Sequence, residues 1–291
     1  NDSETHAREA AALARAVLQS QVGTARMLYE WLGRPPVPAR ALDGAAYTLS
    51  VPGTELMLEF GARVVDEHGA RLAPTDVVLE TDSRKPAAKH RILELYAQHG
   101  LELPDTAPMA VHRGRLDLLA AHLGRDPQLL RRTFRHEEFY PPELGCHDEV
   151  QATHGTPLPG ATLLHLCVDH DELELARWLL AQGMDPDARA DVDADGFGGH
   201  TALFATVVSQ PAFWMNHERR PPTAPFTELL LEKGADPNAV ASLKKQLHPG
   251  YGPSALHEYR DVTPRQWGER FHDRRFVNAA ALALIAARGG R

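Results

Sequence analysis

The sequence predicts an all-α solenoid of about seven stacked helix pairs, with short β-hairpin fingers and long loop inserts. One reason is a repeated pattern: residues 161–188 and 226–239 both carry a leucine-rich helical turn, then a glycine, then Asp-Pro-Asp/Asn-Ala. A second reason is that apolar residues recur on one helix face, as at Leu175, Ala176 and Leu179. A single pair of short helices would leave that face in water, so neighbouring pairs have to stack.

The composition permits a large core and disfavours a nucleic-acid partner. The chain has 291 residues, 43% of them hydrophobic, which suffices for one large domain or two ordinary ones. Its 31 basic and 39 acidic residues give a formal charge of −8. Because the sequence contains no long run of basic residues that could contact phosphates, we do not expect the protein to bind nucleic acid.

Cysteine usage and hydropathy bear on the cellular compartment. Two cysteines, Cys146 and Cys167, are too few for a disulfide scaffold and favour free thiols in a reducing cytosol, although one pair meeting in space stays open. No apolar run approaches the ~18 residues of a membrane-spanning helix, and no charged-then-apolar signal segment opens the chain. We therefore expect a soluble, cytoplasmic protein without a membrane partner.

Weaker copies of the repeated pattern can be followed along the chain in order. Each keeps one or both helices of a pair, and they lie in the segments 7–33, 55–64, 90–105, 106–123 and 262–290. The fourth of them keeps Gly-x-Leu-Asp-Leu-Leu at the junction between its helices, and the last begins with Thr-Pro. Together with the two stronger copies, they extend the array over nearly the whole chain.

The best-formed copy resembles the ankyrin repeat. Thr162-Leu163-Leu164-His165 stands where that family has Thr-Pro-Leu-His, and residues 173–180 match the family's second helix. The resemblance implies paired short helices with hairpin fingers. It also implies a structural role for His165, because the histidine at this place in the family bonds to the backbone between repeats.

The expected helix ends have suitable residue types. Thr162 and Thr201 suit N-cap positions, where a hydroxyl can satisfy a backbone amide that has no partner in the helix. Gly183 and Gly234 suit the left-handed position just after a helix. Asp171 stands at the short turn between helices and tolerates the left-handed conformation fairly well.

We expect a single array over residues 1–291, with divergent repeats in 1–105 and clearer repeats in 106–291. An ankyrin repeat runs to about 33 residues, and several intervals between the glycines that close second helices are longer. The excess lies in four loop inserts and one further irregular stretch: 131–160, 191–200, 211–225, 241–261 and 66–89.

Aromatic and polar residues of the inserts are the candidate contacts for a ligand or partner. If the inserts leave adjacent repeats, they gather on one flank of the array and form a lobe or pocket. The alternative, that they only shield the edge of the array, stays open. The candidate residues are Phe139, Tyr140, Trp214, Asn216, His217, Arg219, Tyr251, His257, Tyr259 and Arg260.

One acidic segment has the spacing of a calcium loop. Asp191, Asp193, Asp195 and Gly196 match the first half of an EF-hand loop, where oxygen ligands and a sharp turn are needed. The position of the bidentate glutamate holds Ala202, however, so we prefer a long acidic hairpin. The three aspartates stay weak metal candidates, and we expect no metal or cofactor.

Histidine and cysteine in the first insert suggest two further chemistries. His136 and His147 are weak zinc candidates beside Cys146, but the insert lacks the closely spaced ligand pairs of structural zinc sites. Cys146 is also the one candidate nucleophile, with His147 as an adjacent activator. We prefer a histidine cluster without a metal and an unreactive loop cysteine.

The function predicted from the sequence is a non-catalytic recognition module. It would bind a protein or peptide through the concave surface made from fingers and first helices, together with the insert loops. A small-molecule ligand at the insert flank stays open. The alternative function is a small-molecule or metal-dependent enzyme of the hydrolase type, with its site among the inserts.

Overall fold

A computed structural model describes residues 12–19, 21–37, 40–146, 155–246 and 255–291. The described chain is mainly helical and forms two compact units, Asn1–Pro104 with Pro141–Cys146, and Asp105–Tyr140 with His147–Arg291. Its helices form seven pairs over the described ranges, which confirms the predicted all-α, ankyrin-type fold class.

The first unit contains three helix pairs. Its helices are α1 (12–18), α2 (Val22–Trp31), α3 (Asp43–Tyr47), α4 (Val51–Glu59), α5 (Thr75–Glu80) and α6 (Pro86–Gln98), with a 3-10 turn at Pro142–Leu144. The second helices pack in a row, α2 against α4 and α4 against α6, while α3 packs against α5. Each pair thereby covers the apolar face of its neighbour, as the stacking argument requires.

The second unit contains the other four pairs. Its elements are α7 (Ala107–His112), α8 (Leu116–Arg125), α9 (His136–Phe139), α10 (Leu163–Asp169), α11 (Leu173–Ala181), α12 (Ala202–Val207), α13 (Gln210–His217), α14 (Pro225–Glu232), β1 (Ala241–Lys245), β2 (His257–Val262), α15 (Pro264–Arg270) and α16 (Ala279–Ala287), with 3-10 turns at Pro127–Leu130 and Arg274–Phe276. First helices pack in the order α7, α10, α12, α15, and second helices in the order α11, α14, α16.

Helix ends in the second unit follow the predicted chemistry, with one difference. Gly183 and Gly234 have φ of 94° and 92°, and Asp171 has φ of 62°, so all three adopt the predicted left-handed conformation. Thr162 and Thr201 are the N-cap residues of α10 and α12, as expected. Among the described residues, however, the Thr201 hydroxyl is buried without a hydrogen-bond partner, so this hydroxyl does not cap its helix there.

The inserts contain more regular structure than the sequence predicts. The insert 211–225 begins inside helix α13, whose N-cap Ser209 accepts a hydrogen bond from the Ala212 amide at 3.3 Å. The insert 241–261 supplies the antiparallel strands β1 and β2, and the stretch 66–89 contains helix α5. The expectation of irregular loops was therefore wrong here. A strand shows its pairing only when its partner is known, and α5 is too short for a clear helical period.

Close packing between the last two pairs leads to a prediction about Gly268. A Cβ added to this residue of α15 would clash with Cγ1 of Val207 on α12 and lie 3.0 Å from Cδ2 of Leu282 on α16. Gly268→Ala is therefore expected to lower the free energy of unfolding by about 1–3 kcal/mol in urea denaturation. Gly124→Ala on α8 is the control, because its Cβ would meet no atom within 4 Å and should leave stability unchanged or raise it by up to ~1 kcal/mol. Equal effects of the two substitutions would contradict the packing.

Candidate functional site

Extended segments of three inserts lie side by side in the second unit. The amide of Asp191 donates to the carbonyl of Gly160 at 2.8 Å, and the amide of Gly198 donates to the carbonyl of Ser242 at 2.7 Å. β1 then pairs with β2 in an antiparallel register. We call this surface the finger row, and it comprises residues 133–134, 157–161, 191–200, 241–245 and 257–262. Three of the four predicted inserts therefore lie together in the finger row.

A cavity of about 550 Å³ opens in the finger row. Its walls come from the segment 157–160, the finger 191–200 and residues 243–246 of β1 and its end. Apolar wall residues include Pro157, Pro159 and Val192, and the side chain of Val192 is 62% exposed. The volume falls within the ~300–1,000 Å³ that is usual for ligand pockets.

A lysine occupies the place where the calcium interpretation put a cation. The ammonium of Lys244 lies 2.5 Å from a carboxylate oxygen of Asp193 and 3.3 Å from one of Asp195. The hydrogen bond from this ammonium lowers the pKa of Asp193. Asp193 also accepts the amides of Asp195 and Phe197 at 2.9 Å, which closes the finger turn. Lys244 of β1 therefore already pairs with the two carboxylates that the calcium interpretation assigns to a metal ion.

The third aspartate of this segment has a different environment. Asp191 is exposed, and its carboxylate accepts a hydrogen bond from the Thr133 hydroxyl at 2.9 Å. Among the described residues it takes part in no ion pair, unlike Asp193 and Asp195. Over the same part of the chain, no group of three or more His, Cys, Asp or Glu side chains is arranged to hold a metal ion.

Phe197 forms the apolar centre of the finger. The guanidinium carbon of Arg260 lies 4.2 Å from its ring centroid, and the ammonium of Lys244 lies 5.1 Å from it. Arg260 is exposed and also pairs with Glu258 at 3.2 Å. Arg260, a candidate from the sequence, therefore lies on the finger row, where it holds β2 against the finger.

Two buried histidines connect the finger to the helix pairs. Nε2 of His165 lies 3.2 Å from the carbonyl of His200, and Nε2 of His200 lies 2.9 Å from the carbonyl of Pro157. Because a carbonyl can only accept, both rings carry their proton on Nε2. Nδ1 of His165 then accepts the Thr162 hydroxyl at 2.9 Å. This bond from His165 to the backbone beyond its own helix pair confirms the structural role implied by the resemblance.

The local environment keeps both of these rings neutral. Burial, helped by the neighbouring imidazole of His200, lowers the pKa of His165 to about 3. Burial likewise lowers the pKa of His200 to about 4. Nδ1 of His200 is buried without a hydrogen-bond partner in the described part of the chain, although His200 lines the cavity. The neutral ring packs between His165 and Phe204, and its Nδ1 is inaccessible to solvent.

Two of the candidate contact residues belong to the core instead of the surface. The carbonyl of Phe139 lies 2.9 Å from Nε2 of His112, and the hydroxyl of Tyr140 lies 2.9 Å from Nε2 of His170. Both aromatic side chains are at most 1% exposed. His136 packs its ring 5.0 Å from that of Tyr140. The aromatic content of this insert serves packing, so Phe139 and Tyr140 are not available to a partner.

Three of the four candidates in the third insert, Trp214, Asn216 and His217, lie on helix α13, which packs against the 3-10 turn Arg274–Phe276, and Arg219 follows the end of this helix. Asn216 donates from Nδ2 to the carbonyls of Arg275 and Val277, a structural role. Trp214 is half-buried, whereas His217 and Arg219 are exposed.

The remaining candidates lie on β2 or outside the described residues. Tyr259 is 8% exposed, and its hydroxyl lies 2.7 Å from Nδ1 of His272. His257 stacks on the same imidazole with ring centroids 3.7 Å apart. These two side chains hold β2 against the end of α15. Tyr251 and His147 fall in segments that the structure does not describe.

Neither cysteine has the environment of a nucleophile. Cys146 and Cys167 are both buried, and neither takes part in a disulfide among the described residues. Burial raises the pKa of the Cys146 thiol, so the thiolate that nucleophilic catalysis requires is disfavoured.

Comparison with known proteins identifies one segment of the second unit. A model of the ankyrin repeat family matches residues 160–191. The chain contains an ankyrin repeat. The match covers α10, α11 and the start of the finger, which confirms the resemblance seen in the sequence. No curated protein matches the chain.

Solved structures of ankyrin repeat domains are similar to the chain at low identity. The human ASB11 ankyrin repeat domain has 16% identity and a TM-score of 0.35, with 96% of this chain and 98% of that chain covered. The ankyrin repeat domain of Bcl-3, a member of the IkappaB protein family, has 17% identity and a TM-score of 0.31, with 94% and 97% covered.

The ankyrin repeat contributes its two end residues to the cavity. Gly160 and Asp191 are the first and last residues of the matched segment, and both line the cavity. Val192, Phe197 and Leu243 also line the cavity, although the sequence does not predict them as site residues. Their only signal was an apolar side chain inside an otherwise polar insert, which does not distinguish a pocket wall from a packing residue. Within the described ranges, no helix is both long and apolar enough to cross a membrane.

Proposed function

We propose that the chain is a non-catalytic recognition module that binds a segment of a partner protein at the finger row. Ankyrin repeats are generally protein-interaction modules, which supports a protein partner. The main support for binding at this surface is the cavity of about 550 Å³, which opens where the ankyrin repeat meets the hairpin of β1 and β2. Val192, which is 62% exposed, lines this cavity, so a bound segment would contact it.

Electrostatics and burial support binding in preference to catalysis. The cavity lining holds two neutralised groups, Asp193 and Lys244, and a histidine that burial keeps uncharged, His200. These three residues do not form the pair of nucleophile and general base that nucleophilic catalysis requires. We further propose that the array of helix pairs is continuous over 1–291. We also propose that the protein works in the cytoplasm, a reducing compartment that suits two buried cysteines without a disulfide in the described part of the chain.

The test is quantitative capture of partners from native lysate. Val192→Glu places a charge at the cavity opening and is expected to reduce capture of a saturable partner at least tenfold relative to wild type, as read by mass spectrometry. Leu116→Glu is the matched control, since Leu116 on α8 is also an exposed apolar residue, 41% exposed, and should leave capture unchanged. The proposal fails if no saturable partner is captured, or if capture is the same for wild type and Val192→Glu.

A further inference from the structure

We propose that protonation of His272 releases β2 from the end of α15 and thereby loosens the hairpin of β1 and β2 beside the cavity. The release itself depends on no partner, whereas its consequence for binding rests on the proposed function. Three features support it: the contacts of the ring, the charges that face it, and the place of the hairpin in the cavity wall.

The imidazole of His272 joins β2 to the end of α15. It stacks on the ring of His257 with centroids 3.7 Å apart and planes 8° apart, and its centroid lies 4.5 Å from that of Phe271. The hydroxyl of Tyr259 accepts the backbone N–H of His272 at 3.0 Å and lies 2.7 Å from Nδ1 of the same residue. This hydroxyl can therefore donate its own proton to Nδ1 of the neutral ring.

A proton on Nδ1 opposes this arrangement. The imidazolium carries protons on both nitrogens, so Nδ1 no longer accepts the hydroxyl of Tyr259. The new positive charge would also be partly buried. Burial first, and then the nearby His257 and Lys245, lower the pKa of His272 to about 4. The held ring therefore resists a proton that a solvated histidine accepts near pH ~6.5.

The other charges around the ring compensate only in part. β1 contributes the ammonium of Lys245, which disfavours protonation, and the residue after the ring, Asp273, favours it. The carboxylate of Asp273 is already engaged by the guanidinium of Arg275, at 2.5 and 3.0 Å. A further cation of this turn, Arg274, donates to the carbonyl of Gly268 at 2.8 Å. An imidazolium would thus share its acidic neighbour with another cation.

Release also exposes the second ring nitrogen. Nε2 of His272 is buried without a hydrogen-bond partner in the described part of the chain. Water can bond to this nitrogen once β2 moves away, which offsets part of the free energy lost with the contacts.

The hairpin connects this ring to the cavity. Residues 243–246 of β1 and its end line the cavity, and β1 pairs with β2, with Lys245 opposite His257. On its other side, β1 is bonded to the finger through the amide of Gly198 and the carbonyl of Ser242, at 2.7 Å. After release, β1 keeps the finger contacts but is no longer held through β2 by α15. This wall of the cavity then becomes less rigid.

Acidification favours the released hairpin. Burial lowers the pKa of His272 to about 4 in the held state, and after release the ring titrates near ~6.5. The hold is therefore complete above pH 6.5 and is lost as the pH falls toward 4. The full difference raises the release equilibrium about twentyfold between pH 7 and pH 5. Because the ring is partly exposed, solvent screening reduces this factor, and we expect at least about fivefold.

Amide hydrogen exchange of the full chain at pH 7 and pH 5 tests the release without a partner. Protection factors, which remove the intrinsic effect of pH on exchange, are compared for the amides of β1 and β2. We expect them to fall by at least about fivefold at pH 5. Long-range ¹H–¹⁵N spectra of the imidazoles should place the pKa of His272 below about 5, and a value near 6.5 would overturn the inference.

A pair of matched variants assigns the effect to one ring. His272→Gln does not titrate, and its Oε1 can still accept the hydroxyl of Tyr259, so hairpin protection should change by less than about twofold between the two pH values. His68→Gln is the control, because the side chain of His68 is 82% exposed, and it should keep the wild-type change. Unchanged wild-type protection at pH 5, or an equal loss in His272→Gln, would contradict the release. If the variant's hairpin is unprotected already at pH 7, wild-type exchange and the His272 titration decide.

Capture from lysate separates this inference from the proposed function. A partner that depends on Val192 should be captured less at pH 5 than at pH 7, and the loss should be smaller for His272→Gln than for wild type. Equal losses would overturn the consequence for binding. If the hairpin releases but the lysate holds no partner sensitive to Val192→Glu, the recognition function fails and the release stands. If hairpin protection is constant with pH, the inference fails whatever is captured.

Discussion

Replacing Trp267 with alanine is expected to lower the free energy of unfolding by about 3–5 kcal/mol, as measured by urea denaturation. The side chain is fully buried on α15. Its ring packs edge-on against Tyr259 of β2 at 4.7 Å and against Phe271 at 4.8 Å. Its indole N–H donates to the hydroxyl of Thr156 at 3.2 Å. The substitution therefore creates a cavity in the core. It also removes the hydrogen bond that the indole donates to the Thr156 hydroxyl.

Trp31→Ala is the matched control for this prediction. Trp31 lies on α2 with 72% of its surface exposed, so its removal should change the unfolding free energy by no more than about 0.5 kcal/mol. If Trp267→Ala were as well tolerated as Trp31→Ala, Trp267 could not be a core residue that joins β2 to the helix pairs.

Acidification is expected to destabilise the protein through His165 and His200. Their pKa values are lowered in the folded state, to about 3 and about 4, chiefly because burial disfavours the charged ring. An unfolded histidine titrates near pH 6.5, so below that pH the unfolded chain binds more protons than the folded one. Their stabilising effect is thus complete above pH 6.5 and decreases as pH falls toward the folded-state values. Each ring should reduce the unfolding free energy by about 1.4 kcal/mol per pH unit, or about 2 kcal/mol between pH 6.5 and 5.

The measurement is urea denaturation at several pH values between 7.5 and 5. His200→Gln retains a donor for the carbonyl of Pro157 but does not titrate, so it should reduce the slope by about 1.4 kcal/mol per pH unit. His68→Gln is the control, because the side chain of His68 is 82% exposed and its removal should leave the slope unchanged. A wild-type stability that is constant from pH 6.5 to 5 would contradict the neutral, buried state of the two rings.

Much of the fold was predictable because its signals are local. The stretch Thr162 to Gly183 carries a helix start, a short buried helix, an amphipathic helix and a left-handed stop within one repeat, and each of these signals lies among neighbours in the chain. Helix α13 was missed although Ser209 and Pro211 mark its start. The departure from the expected repeat length favours a loop there, whereas the cap at Ser209 favours a helix.

The candidate site was less predictable, because aromatic residues in an insert can either face a partner or fill the core. Phe139 and Tyr140 fill the core, and Tyr259 is also mostly buried. The acidic spacing from Asp191 is visible in the sequence, but the role of these carboxylates depends on Lys244, which lies 49 positions away from Asp195 in the chain. No local pattern shows which cation will reach a given carboxylate.

The amino-acid order by itself determined the helix pairs, their stops and the presence of an ankyrin repeat, since caps, turns and amphipathic periods act over a few residues. Tertiary structure alone decided that a segment before the repeat, the finger after it and a distant hairpin line one open cavity. Those segments meet only because successive helix pairs stack, and stacking brings together side chains that the linear order separates.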